Sequence, residues 1–195
     1  MLAVMGEHFK GRLTRYVSAK AEAAAVPQNA PIVPDNLLSD IAAAIDEKEA
    51  PFKSHLARAR LEWLESDSDR LGNTHFEISH AELEVRKRQR MPPGPVTVGL
   101  HPILAEDEAL YRHTLAHELL HVAGLTDHDD RHASILNQIA PAPSLAESAL
   151  LRNLRDQALA QQEVQDWTCN HCGFIWSRKT VRAPSRCPKC ARPFK

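Results

Sequence analysis

The sequence predicts an α+β fold followed by a separate, cysteine-rich C-terminal module. Three observations predict it. VTVGL (96–100) alternates Val96, Val98 and Leu100 as a strand does. It leads into a helical stretch reaching about Ala123, whose Leu115, Leu119 and Val122 form one apolar face. All four cysteines fall within residues 169–190, as two Cys-x-x-Cys pairs. A chain of 195 residues has room for one domain and a small module. Its 43% hydrophobic and 25% charged residues exclude wholesale disorder, and no run approaches the eighteen apolar residues of a membrane-spanning helix.

The elements follow in order. Phe9, Leu13, Tyr16 and Val17 at helical spacing predict a helix over 5–25, and PQNAPIVP (27–34) is a proline-rich linker or extended segment. Two helices are expected at about 35–49 and 51–66. Pro51 suits the first turn of the second, and Leu56, Ala59 and Trp63 give it an apolar stripe. Within 67–95, HFEI reads as a short strand, AELEVRKRQR fits helix or strand, and MPPGP is a turn. Pro102 ends the VTVGL strand, and Glu106, Asp107 and Glu108 suit the positive end of the next helix, which Gly124 terminates. LTDHDDR is a polar loop leading to a short helix at about 131–139 carrying Ile135, Leu136 and Ile139, stopped by PAP (141–143). Ser144 and Glu147 have the spacing of a capping box for a helix reaching about residue 165. The expected organisation is an N-terminal helix and linker (1–34), a main domain (35–143), a connecting helix (144–166) and the cysteine module (167–195).

A net charge of −1 conceals an asymmetry. Residues 167–195 hold seven Lys or Arg and no Asp or Glu, which leaves 17 basic against 25 acidic residues in 1–166. An acidic body thus carries a basic tail. The apolar start, MLAVM, is interrupted by Glu7 and His8 too soon for a secretory signal, so a reducing, intracellular compartment is expected, cytoplasmic or nucleoid-associated.

Two patterns carry chemistry. In His117-Glu118-Leu119-Leu120-His121, residues four apart lie on one helix face, so both imidazoles can bind one metal ion beside a carboxylate able to take a proton from water. His113, one turn earlier, reads as a supporting or surface histidine. A catalytic zinc needs a third protein ligand, and the following loop offers Asp127, His128 and His132. The second pattern is Cys169-x-x-Cys172 with Cys187-x-x-Cys190, two knuckles that make a closed four-thiolate zinc site whose metal is structural. Arg178, Lys179, Arg182, Arg186 and Lys189, interleaved with Trp167, Phe174, Trp176 and Phe194, suit phosphate contacts and base stacking.

The order of strand, His-Glu-x-x-His helix, downstream His and four-cysteine ribbon resembles the SprT-like family of zinc metallopeptidases, whose members include the Spartan proteases that degrade proteins crosslinked to DNA. Residues 96–136 and 167–190, about a third of the chain, carry the likeness. It implies a zincin-like domain of helices on a small mixed sheet, one catalytic and one structural Zn2+, His117 and His121 as ligands, Glu118 as general base and His132 as third ligand. Ala133 stands where the family usually has Gly, and Leu136 near its usual Phe. His117-Glu118-x-x-His121-x-x-Gly124-Leu125-x-Asp127-His128 is also similar to the snapalysin-like metzincin motif, which implies Asp127 as third ligand. Metzincins have a methionine-containing turn downstream, and this chain has no Met after Met91.

The expected function is therefore a zinc-dependent endopeptidase acting on proteins associated with or crosslinked to DNA, with DNA bound through the basic ribbon and no membrane partner. Val96–Leu100 is the expected edge strand for an extended substrate. His101 and Tyr111 are polar side chains near the motif, with nothing in the sequence to say whether they reach a developing oxyanion. The alternatives are a metzincin-like general peptidase and a non-catalytic zinc-ribbon adaptor.

Overall fold

Val96–Leu100 forms the strand the alternation predicts, but at the centre of the sheet. The computed structural model describes residues 25–160, 162, 165–180 and 183–194. The expected helix with Phe9, Leu13, Tyr16 and Val17, and also Arg182, lie outside the described residues. The body holds strands β1 (Arg60–Trp63), β2 (Gly72–Phe76) and β3 (Val96–Leu100), and helices α1 (Leu37–Ala44), α2 (His80–Gln89), α3 (Glu108–Val122), α4 (Asp130–Ile139) and α5 (Ala149–Ala160). Sheet order is β1-β3-β2, with β1 parallel and β2 antiparallel to β3. Val96, Val98 and Leu100 are buried, and the strand packs against the helix Glu108–Val122. The expected edge strand is thus corrected: β3 has no open side, and β2 borders the sheet against α3.

The region after Pro51 also departs from expectation. Its helical stripe gives only a short 3-10 helix, Lys53–Arg58, before the chain extends into β1, where Leu61 pairs with Val98 and Trp63 with Leu100. Backbone pairing with β3 outweighs a stripe that three apolar residues define weakly. Trp63 packs against Tyr111 and donates from its indole N–H to the Asn29 carbonyl, while Tyr111 donates to that of Ile32. The proline-rich segment therefore lies extended along the body.

Helix ends follow local chemistry. Ser79 caps α2 by accepting from the Glu82 N–H, and Asp129 caps α4 through the His132 N–H. Asp107 caps α3 through the Leu110 N–H, and its other oxygen accepts a short hydrogen bond from the Ser148 hydroxyl. Ser148, almost fully buried, in turn accepts from the Leu151 N–H and caps α5. Ser144 and Glu147 form only half of the expected box: the Glu147 carboxylate accepts the Ser144 N–H within a turn, and the helix begins later, at Ala149. Leu150, Leu151 and Leu154 of α5 share one core with Leu115, Leu119 and Leu120 of α3, Ile135 and Leu136 of α4, and Leu37 and Ile41 of α1.

One carboxylate thus serves two helix starts. Asp107→Ala is expected to lower unfolding stability by about 1–3 kcal/mol, the cost of a lost cap plus a buried hydroxyl without its acceptor. Urea denaturation followed by circular dichroism measures it, and an unchanged midpoint would contradict the shared cap.

Candidate metal centre and its carboxylate

The end of α3 determines where its imidazoles can meet others. Gly124 adopts φ +103°, its N–H donates to the His121 carbonyl, and the Leu125 N–H donates to that of Leu120. This is the paired hydrogen bonding of a Schellman turn, and it reverses the chain. A Cβ on Gly124 would also lie 3.0 Å from Pro51 and 3.3 Å from Phe52. After the turn, the Leu125 carbonyl sits 2.8 Å from His121 Nδ1. A carbonyl only accepts, so Nδ1 carries the proton, and in the neutral ring Nε2 keeps its lone pair for a metal.

Four imidazoles converge here. His117 Nε2 lies 3.1 Å from His121 Nε2 and 3.1 Å from His128 Nε2. His132 faces the same point from α4, with its ring centroid 4.7 Å from that of His117 and 5.0 Å from that of His121. Donor atoms of His117, His121 and His132 all lie within 4.8 Å of one another, so these three could hold a metal ion. Nitrogens around a tetrahedral zinc stand about 3.3 Å apart, close to the 3.1 Å between His117 and His121 Nε2. Asp127 is exposed and stands outside the group.

His132 is held in place from both ends of α4. Asp129 fixes its backbone N–H, and Arg131 pairs with Glu49 at 2.9 Å. At the far end, buried His113 donates from Nδ1 to the Ala140 carbonyl at 2.6 Å. His113 is therefore a strut between α3 and α4. His101 and Tyr111 are occupied elsewhere. His101 is fully buried at the C-terminal end of β3, where Nδ1 accepts the Ile103 N–H and Nε2 donates to the Ser66 carbonyl. That pattern requires a neutral ring, in accord with desolvation holding its pKa below the usual value against the raising effect of the Ser66 carbonyl.

Glu118 sits on the sheet side of α3 and is 6% exposed. The Thr74 hydroxyl of β2 donates to its Oε2 at 2.8 Å. Gly72, two residues earlier on the same face of β2, makes the space: a Cβ there would stand 2.6 Å from Glu118 Oε1 and 2.8 Å from the Thr114 methyl. Neither Gly72 nor Thr74 stands out in the sequence. The available signal was the alternation of Gly72, Thr74 and Phe76, which puts these residues on one side of a strand leading into the expected HFEI segment.

The cysteine module pairs β4 (Asp166–Thr168) with β5 (Ile175–Ser177), Trp167 opposite Trp176. Its two knuckles repeat one turn. The Cys169 N–H donates to the Phe174 carbonyl and the Gly173 N–H to that of Cys169; Cys187, Arg192 and Ala191 do the same. Gly173 and Ala191 both take positive φ. Sulfurs of Cys169 and Cys190 lie 3.7 Å apart, and those of Cys172 and Cys187 3.8 Å apart. Those spacings are far beyond a disulfide bond and match the roughly 3.8 Å between thiolates around a tetrahedral zinc. The four cysteines could thus hold a metal ion. Backbone N–H groups of Cys172 and His171 hold the Cys169 thiol down at about 6. For Cys172 the Phe174 backbone donor acts downward, but desolvation and the neighbouring thiols push it up to about 11.

The ribbon's aromatics are engaged with one another. Phe194 stands edge-on to Trp167 and Trp176, and Trp176 stacks on Phe174. Arg178 covers Trp167 at 4.6 Å and Lys189 covers Phe174 at 5.5 Å. Faces expected to stack on bases therefore have partners within the chain. Arg186 is exposed and bonds the Ala191 carbonyl, and Lys179 is exposed.

Comparison of the chain with family models, with curated proteins and with solved structures finds no match. No helix among the described residues is long and apolar enough to cross a membrane.

Gly72→Ala is expected to destabilise the protein by about 1–3 kcal/mol, because the added methyl must displace the Glu118 carboxylate or the Thr114 methyl. Urea unfolding reads the loss, and a wild-type midpoint would show that the strand and α3 are not in such close contact.

Proposed function

We propose that this chain is a zinc-dependent endopeptidase of SprT-like type, with a zincin-like body and a structural zinc ribbon, acting on proteins associated with or crosslinked to DNA. The observation that carries this reading is Glu118: a carboxylate next in sequence to His117, nearly buried, and oriented by a hydrogen bond from Thr74. A purely structural metal has no use for such a group. The donor sets support zinc at both places, nitrogen-rich in the body and all-thiolate in the ribbon.

When bound by His117, His121 and His132, zinc would supply Lewis acidity that polarises a peptide carbonyl and acidifies water. The chain's own residues do the rest. Glu118 accepts a proton from the attacking water and delivers it to the leaving amine. The Thr74 hydroxyl restrains Oε2, and Gly72 leaves Oε1 its space. His121 keeps Nε2 directed at the cluster by donating from Nδ1 to Leu125. With β3 closed on both sides, an extended substrate is assigned to the border of β2, which lies against the helix carrying Glu118. The ribbon contributes a basic surface, free of Asp and Glu from residue 167 onward, with Lys179, Arg186 and the rim cations Arg178 and Lys189 contacting phosphates rather than bases. The reading places the protein in the cytoplasm or on the nucleoid.

A second reading, a non-catalytic zinc-ribbon adaptor, draws on the nearness of His128, since four protein ligands characterise structural zinc sites. The metzincin-like alternative draws no such support, because Asp127 lies outside the cluster.

Casein cleavage by the purified full chain, with and without single-stranded DNA, separates these readings. Cleavage stimulated by DNA is expected, with Glu118→Gln retaining its zinc and losing activity by at least about a hundredfold. A wild type that never cleaves, or a Glu118→Gln variant as active as wild type, would overturn the proposal.

A further inference from the structure

We propose that the cleft between the 3-10 helix Lys53–Arg58 and the end of α2 is a phosphate-binding site on the body, and that it holds the backbone of a DNA strand beside the turn that follows His121. This rests on the DNA-directed reading above and adds a contact outside the ribbon.

The charge pattern comes first. Residues 1–166 carry 17 basic against 25 acidic residues, yet four of the five residues 86–90 are Arg or Lys. The dipole favours cations at the C-terminal end of a helix, which accounts for some of them. Arg86 pairs with Glu82 at 2.8 Å, and Lys87 with Glu84 at 3.2 Å. Arg88 and Arg90 are exposed, and among the described residues neither forms an ion pair. Arg90 takes φ +53° and ends α2.

The fold sets a second cation beside it. Arg90, Lys53, Ser54, Pro51 and Glu47 line one cleft of about 160 Å3. One water needs about 10–15 Å3, so the cleft has room for an anion with part of its hydration. Lys53 Nζ donates to the carbonyl of Ile45, the residue after α1, at 3.0 Å. An ammonium has three donors, so this bond holds the side chain and leaves two for an anion. A guanidinium meets phosphate oxygens in pairs, and an ammonium meets them as a point charge. Two such cations outweigh Glu47, the one carboxylate in the lining.

Position points to a DNA strand rather than a lone anion. Pro51 packs against Gly124, and the Phe52 N–H donates to the Ala123 carbonyl at 3.0 Å. On the other wall, Lys87 of α2 donates to the Thr126 hydroxyl at 3.0 Å. Both walls are therefore fastened to the segment that leaves His121. A strand in the cleft keeps a protein attached to it beside the imidazoles and Glu118. A lone phosphate leaves exposed Arg88 unused, whereas a strand with a charge at every nucleotide engages it.

Fluorescence anisotropy of a labelled oligothymidylate, titrated with salt against the zinc-loaded full chain, tests the site without any need for proteolysis. Lys53→Gln/Arg90→Gln removes two contacts. The slope of log K against log salt is expected to become shallower by about 1.4, at about 0.7 per phosphate of a single strand, and low-salt affinity to fall at least about tenfold. Glu47→Gln is expected to tighten binding, as removal of a repulsion requires. Arg70→Gln/Arg155→Gln makes the same change in net charge elsewhere on the body and is expected to keep the wild-type slope. An unchanged slope in Lys53→Gln/Arg90→Gln, or an equal loss in the control pair, would overturn the site, because the ribbon or net charge alone would then carry binding. Displacement of the oligonucleotide by millimolar inorganic phosphate at constant ionic strength would make the cleft a small-anion site. Tighter binding of polyglutamate than of oligothymidylate would make it a site for acidic proteins, and either result overturns the assignment to DNA. A wild type with no affinity for the oligonucleotide fails the DNA-directed reading itself, which is a distinct result.

Discussion

The arrangement of the body depends on the chain reversing immediately after His121. Helix α3 can carry two imidazoles on one face, but the remaining imidazoles come from residues that would otherwise run on past it. Gly124 supplies the left-handed turn, and Leu125 serves it twice. The Leu125 N–H closes the turn, and its carbonyl fixes the proton of His121 on Nδ1. One backbone conformation therefore terminates the helix, sets a tautomer and brings His128 and His132 back to His117. Any side chain at 124 would strain the positive φ and press on Pro51 and Phe52.

A second constraint comes from the sheet. Both β2 and β3 lie against α3, and on β2 Gly72 and Thr74 meet Glu118. The following helix, α2, extends the same support to the loop through Lys87 and Thr126. The segment of 32 residues between β1 and β3 thus supports both the carboxylate and the loop that carries the exposed His128. Its basic run, Arg86-Lys87-Arg88, is partly tied down by Glu82 and Glu84.

The legible parts of the sequence were those set by local chemistry. Periodicity found α3 and α4, Asp107 and Gly124 bounded α3, and the spacing of the two knuckles brought the four cysteines together. His117, His121 and His132 converge as the motif and the resemblance implied, whereas the choice among Asp127, His128 and His132 needed the path of the loop. What stayed hidden was set by pairing over distance. Residues 60–63 look helical beside Leu56 and become a strand only because β3 lies next to them. The central position of β3 depends on β1 and β2, neither of which has a strong strand signal of its own. Ser144 carries the better capping pattern, but Ser148 is the cap, because Asp107 is there to accept its hydroxyl proton. Thr74 and Gly72 have meaning only against Glu118, which lies more than 40 residues away in the chain.

The central claim is that one chain holds two zinc ions of different kinds, one among imidazoles beside a carboxylate and one among thiolates. Anomalous diffraction from crystals of the full chain, recorded on either side of the zinc absorption edge, tests it most directly. The account predicts two peaks per chain, one bounded by His117, His121 and His132 and the other by Cys169, Cys172, Cys187 and Cys190. A single peak in the ribbon, with the imidazole cluster metal-free at saturating zinc, would contradict it.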